Sequence, residues 1–171
     1  MGNALTAPYA VAAAVLVVAG LAKLRSPASA AQALGRLGLP AGASLIRLYA
    51  VVEVGLGAWA LISPAPLASA LLACVYAGFT VLALLLWRRA ESCGCFGAEG
   101  APATPLQALL SALFAALCAA AIRSSPHGLG WALGRPLGTA AVLVLGTAAA
   151  AYGTVLAYSE LPQAWRSWSP Q

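Results

Sequence analysis

The sequence predicts an all-α, polytopic membrane protein, with a four-helix transmembrane bundle, a fifth C-terminal transmembrane helix and a short interfacial helix after the first span. Of the 171 residues, 62% are hydrophobic and only 8% are charged, whereas soluble domains are about 45–50% apolar and about 25% charged. The mean hydropathy is +0.89. So few charged side chains do not cover a globule with polar surface. This excludes a soluble enzyme and, despite a net charge of +5, a nucleic-acid-binding module.

Five apolar segments are long enough to cross a hydrocarbon core about 30 Å thick, which takes roughly 20 helical residues. They are Leu5–Ala22, Leu45–Ile62, Leu67–Trp87, Pro105–Ile122 and Leu137–Tyr158. The Ser63-Pro64-Ala65-Pro66 stretch is too short for anything but a tight reversal, so the second and third spans form an antiparallel pair.

The two capped helix starts are also predicted from local sequence. Thr104 precedes Pro105, and Gln107 stands three residues after Thr104, as in a capping box. After the first span, Ser26 can cap a helix that begins at Pro27. That segment is too polar and glycine-rich to span the bilayer, so we expect a surface helix there.

The chain divides into a four-helix membrane domain, residues 1–125, and a C-terminal region, residues 126–171. The second region holds a loop, the extra transmembrane helix and a tryptophan-rich amphipathic tail. We expect His127 to be a solvated residue of that loop. Small residues are frequent on the spans, and they permit close helix contacts and a homodimer.

The sequence Cys93-Gly94-Cys95 lies in the connection between the third and fourth spans, close after Arg88 and Arg89. A disulfide across one glycine closes a small, strained ring, and strained accessible disulfides are labile or catalytic. The nearby arginines favour the thiolate, which is the reactive form. The pattern predicts thiol–disulfide exchange; the plainer alternative is a structural staple in a non-enzymatic membrane scaffold.

The same two cysteines could instead bind a soft metal ion. Thiolates such as Cys93 and Cys95 chelate copper(I), zinc or mercury(II). A closed zinc site takes four ligands, and the sequence offers no others nearby, so a metal site stays the alternative. Cys74 and Cys118 lie in spans, where cysteine is a common small packing residue.

Glu53 is a carboxylate inside the second span, and intramembrane carboxylates face the bundle interior and are paired or functional. It lies about six residues, roughly 9 Å, inside the membrane face that carries Cys93 and Cys95. Lys23 and Arg47 stand on that same face. We therefore expect Glu53 to handle protons for the thiols or to form an ion pair with Lys23 or Arg47.

Basic residues divide unevenly between the two faces of the membrane. One face receives Lys23, Arg25, Arg36, Arg47, Arg88, Arg89 and Arg166; the other receives Arg123 and Arg135. The excess favours a cytoplasmic position for the first face. Disulfide chemistry on exported proteins would place Cys93 and Cys95 on the opposite side, so the sequence leaves both orientations open.

Two stretches and one single residue of the sequence resemble the MauE branch of the MauE/DoxX membrane proteins. They are Gly20-Leu21-Ala22-Lys23-Leu24, Glu53 and Cys93-Gly94-Cys95-Phe96-Gly97. The resemblance covers about Ala7 to Ile122, and it implies a redox-associated four-helix protein that works with a thioredoxin-like or cysteine-rich partner. The architecture also resembles DsbB and vitamin K epoxide reductase, which pass electrons to a quinone, although fold alone does not fix function.

The expected function is therefore a thiol–disulfide oxidoreductase of the bacterial plasma membrane, with a quinone as the electron carrier that the analogy implies. The residues expected to react are Cys93, Cys95 and Glu53. Supporting roles fall to Lys23, Arg47, Arg88, Arg89, Gly94, Phe96 and Gly97.

Overall fold

The computed structural model describes residues 2–39, 41–89, 91 and 103–160 of the chain. Within these residues the chain forms seven helices and no strand. The helices are α1 (Gly2–Arg25), α2 (Pro27–Arg36), α3 (Ala43–Ile62), α4 (Pro66–Arg88), α5 (Pro105–Ser124), α6 (Leu129–Leu133) and α7 (Leu137–Ser159).

Five of these helices, α1, α3, α4, α5 and α7, are long and apolar enough to cross a membrane, which confirms the predicted spans. The largest difference is at α1, which continues through Lys23 to Arg25 instead of ending at Ala22. Lysine and arginine are good helix formers, and in the last turn they interact favourably with the helix dipole. Lys23 is therefore inside a helix and holds a fixed position.

Two helix pairs, α1 with α3 and α4 with α5, make the most extensive contacts. The α7 helix packs on α1, and α3 and α4 share a smaller contact although only Ser63–Ala65 separates them. Aromatic and aliphatic side chains fill the centre, including Tyr9, Leu16, Leu72 and Tyr76. The outer faces are also apolar, which is the pattern of helices in contact with lipid.

Glycine permits α1 and α3 to approach each other at two points. A Cβ atom on Gly20 would lie 2.7 Å from Val54 Cγ2 and 2.8 Å from the Ala50 carbonyl oxygen. On the other helix, a Cβ atom on Gly57 would lie 2.8 Å from the Ala13 carbonyl oxygen. No larger residue fits at either position without moving the backbone.

The predicted helix after the first span is present as α2. Ser26 occupies its N-cap position with Pro27 next, but the Ser26 side chain makes no capping hydrogen bond. Instead, the Ser29 hydroxyl donates to the Ser26 carbonyl oxygen at 3.0 Å. The inner face of α2 packs through Ala33 against Leu86 at the end of α4.

The connection between α5 and α7 differs from the expected open loop, because it contains α6. His127 is half-buried there, and its ring stacks on Trp131 with 4.6 Å between centroids and 10° between planes. Its backbone N–H donates to Thr6 Oγ1 at 3.1 Å. His127 is thus a packing residue at the end of the bundle.

Candidate functional site

A buried ion pair joins α1 to α3. Lys23 Nζ lies 2.9 Å from Glu53 Oε1 and 2.8 Å from Glu53 Oε2. The Lys23 side chain is 6% exposed and the Glu53 side chain 1%. Of the two basic partners expected for Glu53, the structure thus has Lys23. Each charge compensates the other inside an apolar bundle, where an unpaired charge would be costly.

The two close-approach glycines explain why this pair forms. Gly20 precedes Lys23 by three residues, and Gly57 follows Glu53 by four. Residues three or four apart share a helix face. The face that brings α1 and α3 into backbone contact therefore also carries Lys23 and Glu53 toward each other.

Aromatic rings flank the ammonium group of Lys23. Its Nζ atom lies 4.8 Å from the centroid of the Phe79 ring on α4 and 6.0 Å from that of Tyr49 on α3. A cation this close to a ring face is attracted by the ring's quadrupole. Three of the spanning helices thus contribute to the surroundings of one charged group.

A small polar region lies on the inner side of Lys23. A cavity of about 20 Å³, enough for one water molecule, is lined by Lys23, Gln107, Ser111 and Tyr158 among others. The hydroxyl oxygens of Ser111 and Tyr158 are 2.9 Å apart. The Gln107 side chain donates to the Tyr158 carbonyl oxygen at 3.0 Å. These contacts tie α5 to α7 next to the ion pair.

The Gln107 half of the predicted capping box is present. The side-chain oxygen of Gln107 accepts a hydrogen bond from the Thr104 N–H at 3.1 Å. One Gln107 side chain thus fixes the start of α5 and also reaches α7. The start of α5 is the point at which the chain returns from the cysteine-bearing connection.

Hydrogen bonds and an ion pair hold the two ends of that connection, Arg89 and Glu91 after α4 and Ala103 before α5. The Ala103 N–H donates to the Glu91 carbonyl oxygen at 2.7 Å. The Glu91 carboxylate pairs with Arg36 of α2 at 2.6 Å, and Arg89 donates to the Arg36 carbonyl oxygen at 2.9 Å. Helix α2 therefore holds together the two ends of the segment between α4 and α5.

The segment itself lies outside the described residues. It contains the predicted Cys93, Gly94, Cys95, Phe96 and Gly97. The predicted supporting residues nearer the helices are described. Arg88 and Arg89 are exposed at the end of α4, and Arg47 is exposed on α3. Among the described residues Arg47 has no salt bridge.

Of the two remaining cysteines, Cys118 packs inside the bundle as expected and Cys74 does not. Cys118 is fully buried in the central cluster, and Cys74 is exposed on α4; neither is bonded. Within the described part of the chain, no three histidine, cysteine or acidic side chains gather into a group able to hold a metal ion.

Three features of the site were not expected from the sequence. They are the rings of Phe79 and Tyr49 beside Lys23 and the Arg36–Glu91 ion pair. Phe79 and Tyr49 are aromatic residues on otherwise aliphatic spans, which is a weak signal. The ion pair joins residues 55 positions apart, so no local pattern marks it.

A family model described as "Methylamine utilisation protein MauE" matches residues 2–124, which include α1 to α5, the ion pair and the cysteine segment. No curated protein matches, and no solved structure matches. Helices α6 and α7 lie beyond the matched region.

Proposed function

The chain belongs to the MauE family of multi-pass membrane proteins, and on that premise we propose that it is a membrane thiol–disulfide oxidoreductase whose reactive pair is Cys93 and Cys95. Its partner is a thioredoxin-like or cysteine-rich protein, and electrons pass between that partner and a quinone of the bilayer. The observation that supports this proposal best is the buried Lys23–Glu53 pair, because its carboxylate lies in the bundle that carries the cysteine segment and is the group that we propose exchanges protons.

The anchored base of the segment supports the assignment of the reactive pair. Cys93 follows Glu91 by two residues, and two residues of chain reach at most about 7 Å. Glu91 is held by both Ala103 and Arg36. A thiol that must meet a partner protein's disulfide at a membrane surface benefits from such a fixed starting point, because less orientational freedom is lost on encounter.

The charges at the membrane face fit thiol chemistry. Arg88 and Arg89 end α4 as exposed cations. They precede the two cysteines closely in the sequence, and their proposed role is to stabilise a thiolate on Cys93 or Cys95, the species that attacks a disulfide. One cysteine forms a mixed disulfide with the partner, and the other resolves it.

The exchange of one disulfide for two thiols moves two electrons and two protons. When the partner is oxidised, its two thiols become a disulfide and the Cys93–Cys95 disulfide becomes two thiols. A quinone supplies a two-electron, two-proton acceptor within the bilayer, which restores the disulfide. Glu53 is the carboxylate that takes and returns protons, and Lys23 holds it in place and compensates its charge.

The depth of the Lys23–Glu53 pair in the bundle bears on which group exchanges protons with Glu53. Phe79, which contacts Lys23, precedes Arg88 by nine residues, or roughly 13 Å along the helix axis. The ion pair therefore lies inside the bundle, well below the end of α4. Its role is to exchange protons with the electron carrier inside the bundle.

The test is turnover by the full chain in phosphatidylcholine liposomes that contain ubiquinone, with a reduced thioredoxin-like protein from the host as electron donor. Cys93→Ser and Cys95→Ser should each abolish quinone reduction, while Cys74→Ser, the matched control in a span, should retain it. Undiminished turnover in either loop variant would rule out the proposal.

Two other results would point elsewhere. One equivalent of metal retained through purification, and lost when Cys93 and Cys95 are both changed to serine, would indicate metal handling. If the unaltered chain shows no redox turnover and the double serine variant has a lower unfolding temperature, the protein is a scaffold stapled by a disulfide.

A further inference from the structure

A cavity lies among α1, α2, α3 and α4, next to the ion pair. Its volume is about 420 Å³, within the range of small-molecule sites. Lys23 lies at its inner end, and its lining includes Ala33, Tyr49, Gly78, Phe79 and Leu82. It occupies the space between the ion pair and α2, the helix that anchors the base of the cysteine segment.

The Lys23 ammonium group is a strong hydrogen-bond donor in the lining of this cavity. Among the described residues that line it, only Lys23 and Tyr49 have polar side chains. The Lys23 ammonium group has three protons, and its hydrogen bonds go to the two carboxylate oxygens of Glu53. Within the described residues its third proton has no oxygen acceptor. Lys23 is 5% exposed, so this donor is buried and available to a ligand in the cavity.

The charge and shape of the cavity define the class of ligand. The Lys23–Glu53 pair is neutral overall, so an anionic headgroup gains no net attraction there and an uncharged acceptor suits it better. The rings of Phe79 and Tyr49 lie 4.8 and 6.0 Å from the donor Nζ and both line the cavity, which suits a flat ring. Tyr49 and Gly78 are exposed on the outer surfaces of α3 and α4, so the entrance opens toward lipid.

We propose that this cavity binds the ring of a lipid-soluble quinone. A ring carbonyl oxygen accepts the third hydrogen bond of Lys23, and the isoprenoid tail leaves between α3 and α4. The assignment rests on the proposed function, because a thiol oxidoreductase of the bilayer requires a two-electron carrier. It goes further by naming the residues that hold that carrier.

The experiment is photolabelling of the full chain in phosphatidylcholine nanodiscs with an azido-substituted short-chain ubiquinone, followed by peptide mapping. The label should map to α3 or α4 near Tyr49, Phe79 or Leu82. Excess ubiquinone-1 should compete with it, and excess oleate should not.

A glycine pair provides the matched variants. A Cβ atom on Gly78 or on Gly146 meets no atom within 4 Å, so leucine is tolerated in the fold at both positions. Gly78 lines the cavity, whereas Gly146 lies on α7 away from it. Gly78→Leu should reduce labelling by about tenfold or more, because the added side chain fills the entrance. Gly146→Leu should label like the unaltered chain.

Equal labelling of the two leucine variants, a label mapped to another part of the chain, or competition by oleate would overturn the assignment. The double variant Cys93→Ser with Cys95→Ser should label normally, because the contacts proposed for the ring come from Lys23, Tyr49 and Phe79. Normal labelling of the unaltered chain, together with no oxidation of the partner by that same chain, would refute the proposed function and leave the binding site supported.

Discussion

Lys23 on α1 binds both carboxylate oxygens of Glu53 on α3, at 2.9 and 2.8 Å, although the two residues are 30 positions apart. Both side chains are almost fully buried. The close packing at Gly20 and Gly57 creates this contact, since each glycine lies one turn from a charged residue on the same helix face. The packing of α1 on α3 and the chemistry of the site thus depend on the same helix faces.

Removal of one charge from this pair should destabilise the bundle strongly. Glu53→Gln leaves the Lys23 ammonium group buried without a counter-charge, which costs about 3–5 kcal/mol when a buried pair is broken. We expect a large fall in thermal unfolding temperature, measured in detergent micelles by loss of helical circular dichroism.

A double variant separates the structural role of the pair from its chemical role. Lys23→Met with Glu53→Met replaces both charges by apolar groups, which is close to neutral for stability. We expect it to unfold near the temperature of the unaltered chain and to lose turnover. Full turnover in this variant would show that the ion pair has only a structural role and would contradict the proposed proton exchange by Glu53.

Gly20→Ala should push α1 and α3 apart. Its Cβ atom would lie 2.8 Å from the Ala50 carbonyl oxygen, and backbone does not move away easily, so the cost is about 1–3 kcal/mol. The matched control is Gly55→Ala on α3, where the added carbon meets no atom within 4 Å. That control should be neutral or stabilising by up to about 1 kcal/mol. Equal unfolding temperatures for the two variants would show that α1 and α3 are not in close contact at Gly20.

The Arg36–Glu91 pair should matter for exchange more than for stability. Its side chains are 44% and 34% exposed, and such pairs contribute at most about 1 kcal/mol. Arg36→Ala should therefore leave the unfolding temperature nearly unchanged while slowing exchange with the partner, because Glu91 loses its anchor to α2. Arg47→Ala, which removes an exposed arginine without a salt bridge among the described residues, is the control and should change neither.

A charge reversal tests the same contact in the opposite direction. Arg36→Glu combined with Glu91→Arg should restore exchange relative to either single reversal, measured as the rate of partner oxidation. If the double reversal is no faster than the single ones, the pair does not position the cysteine segment.

Tyr158→Phe should show that α7 is an integral part of the bundle. The substitution removes the hydroxyl that lies 2.9 Å from Ser111 Oγ and should cost about 0.5–1.5 kcal/mol, the net value of one hydrogen bond. Tyr152→Phe is the matched control on the same helix, where the side chain is 67% exposed. An unfolding temperature equal to that of the control would indicate that α7 is only loosely attached.

The spans and the short helix α2 could be predicted from the sequence because long apolar runs and proline-marked helix starts are local signals. Glu53 could be singled out for a related reason, since a carboxylate inside an apolar run is conspicuous. Its partner was narrowed to Lys23 or Arg47 by their position near one membrane face. The choice of Lys23 depends on rotation of the helices, which the Gly20 and Gly57 contacts determine.

Other parts of the site depend on contacts between segments that are distant in sequence. Glu91 joins Arg36 across 55 positions, and no periodicity predicts that pairing. The cavity beside Lys23 exists because α3 and α4 touch only over a limited area while α2 covers their ends. His127 was expected in solvent and is instead stacked on Trp131, and its backbone N–H donates to Thr6 near the start of α1.

Thiol exchange by this chain is best tested by a search for a mixed disulfide in intact cells of the native host. Cys93→Ser and Cys95→Ser would be expressed separately, the cells quenched with acid, and adducts separated on non-reducing gels and identified by mass spectrometry. We predict that one variant accumulates a discrete, reductant-sensitive adduct with a thioredoxin-like or cysteine-rich protein, whose compartment also reveals the side that the cysteines face. The absence of any such adduct from both variants would contradict thiol exchange as the function.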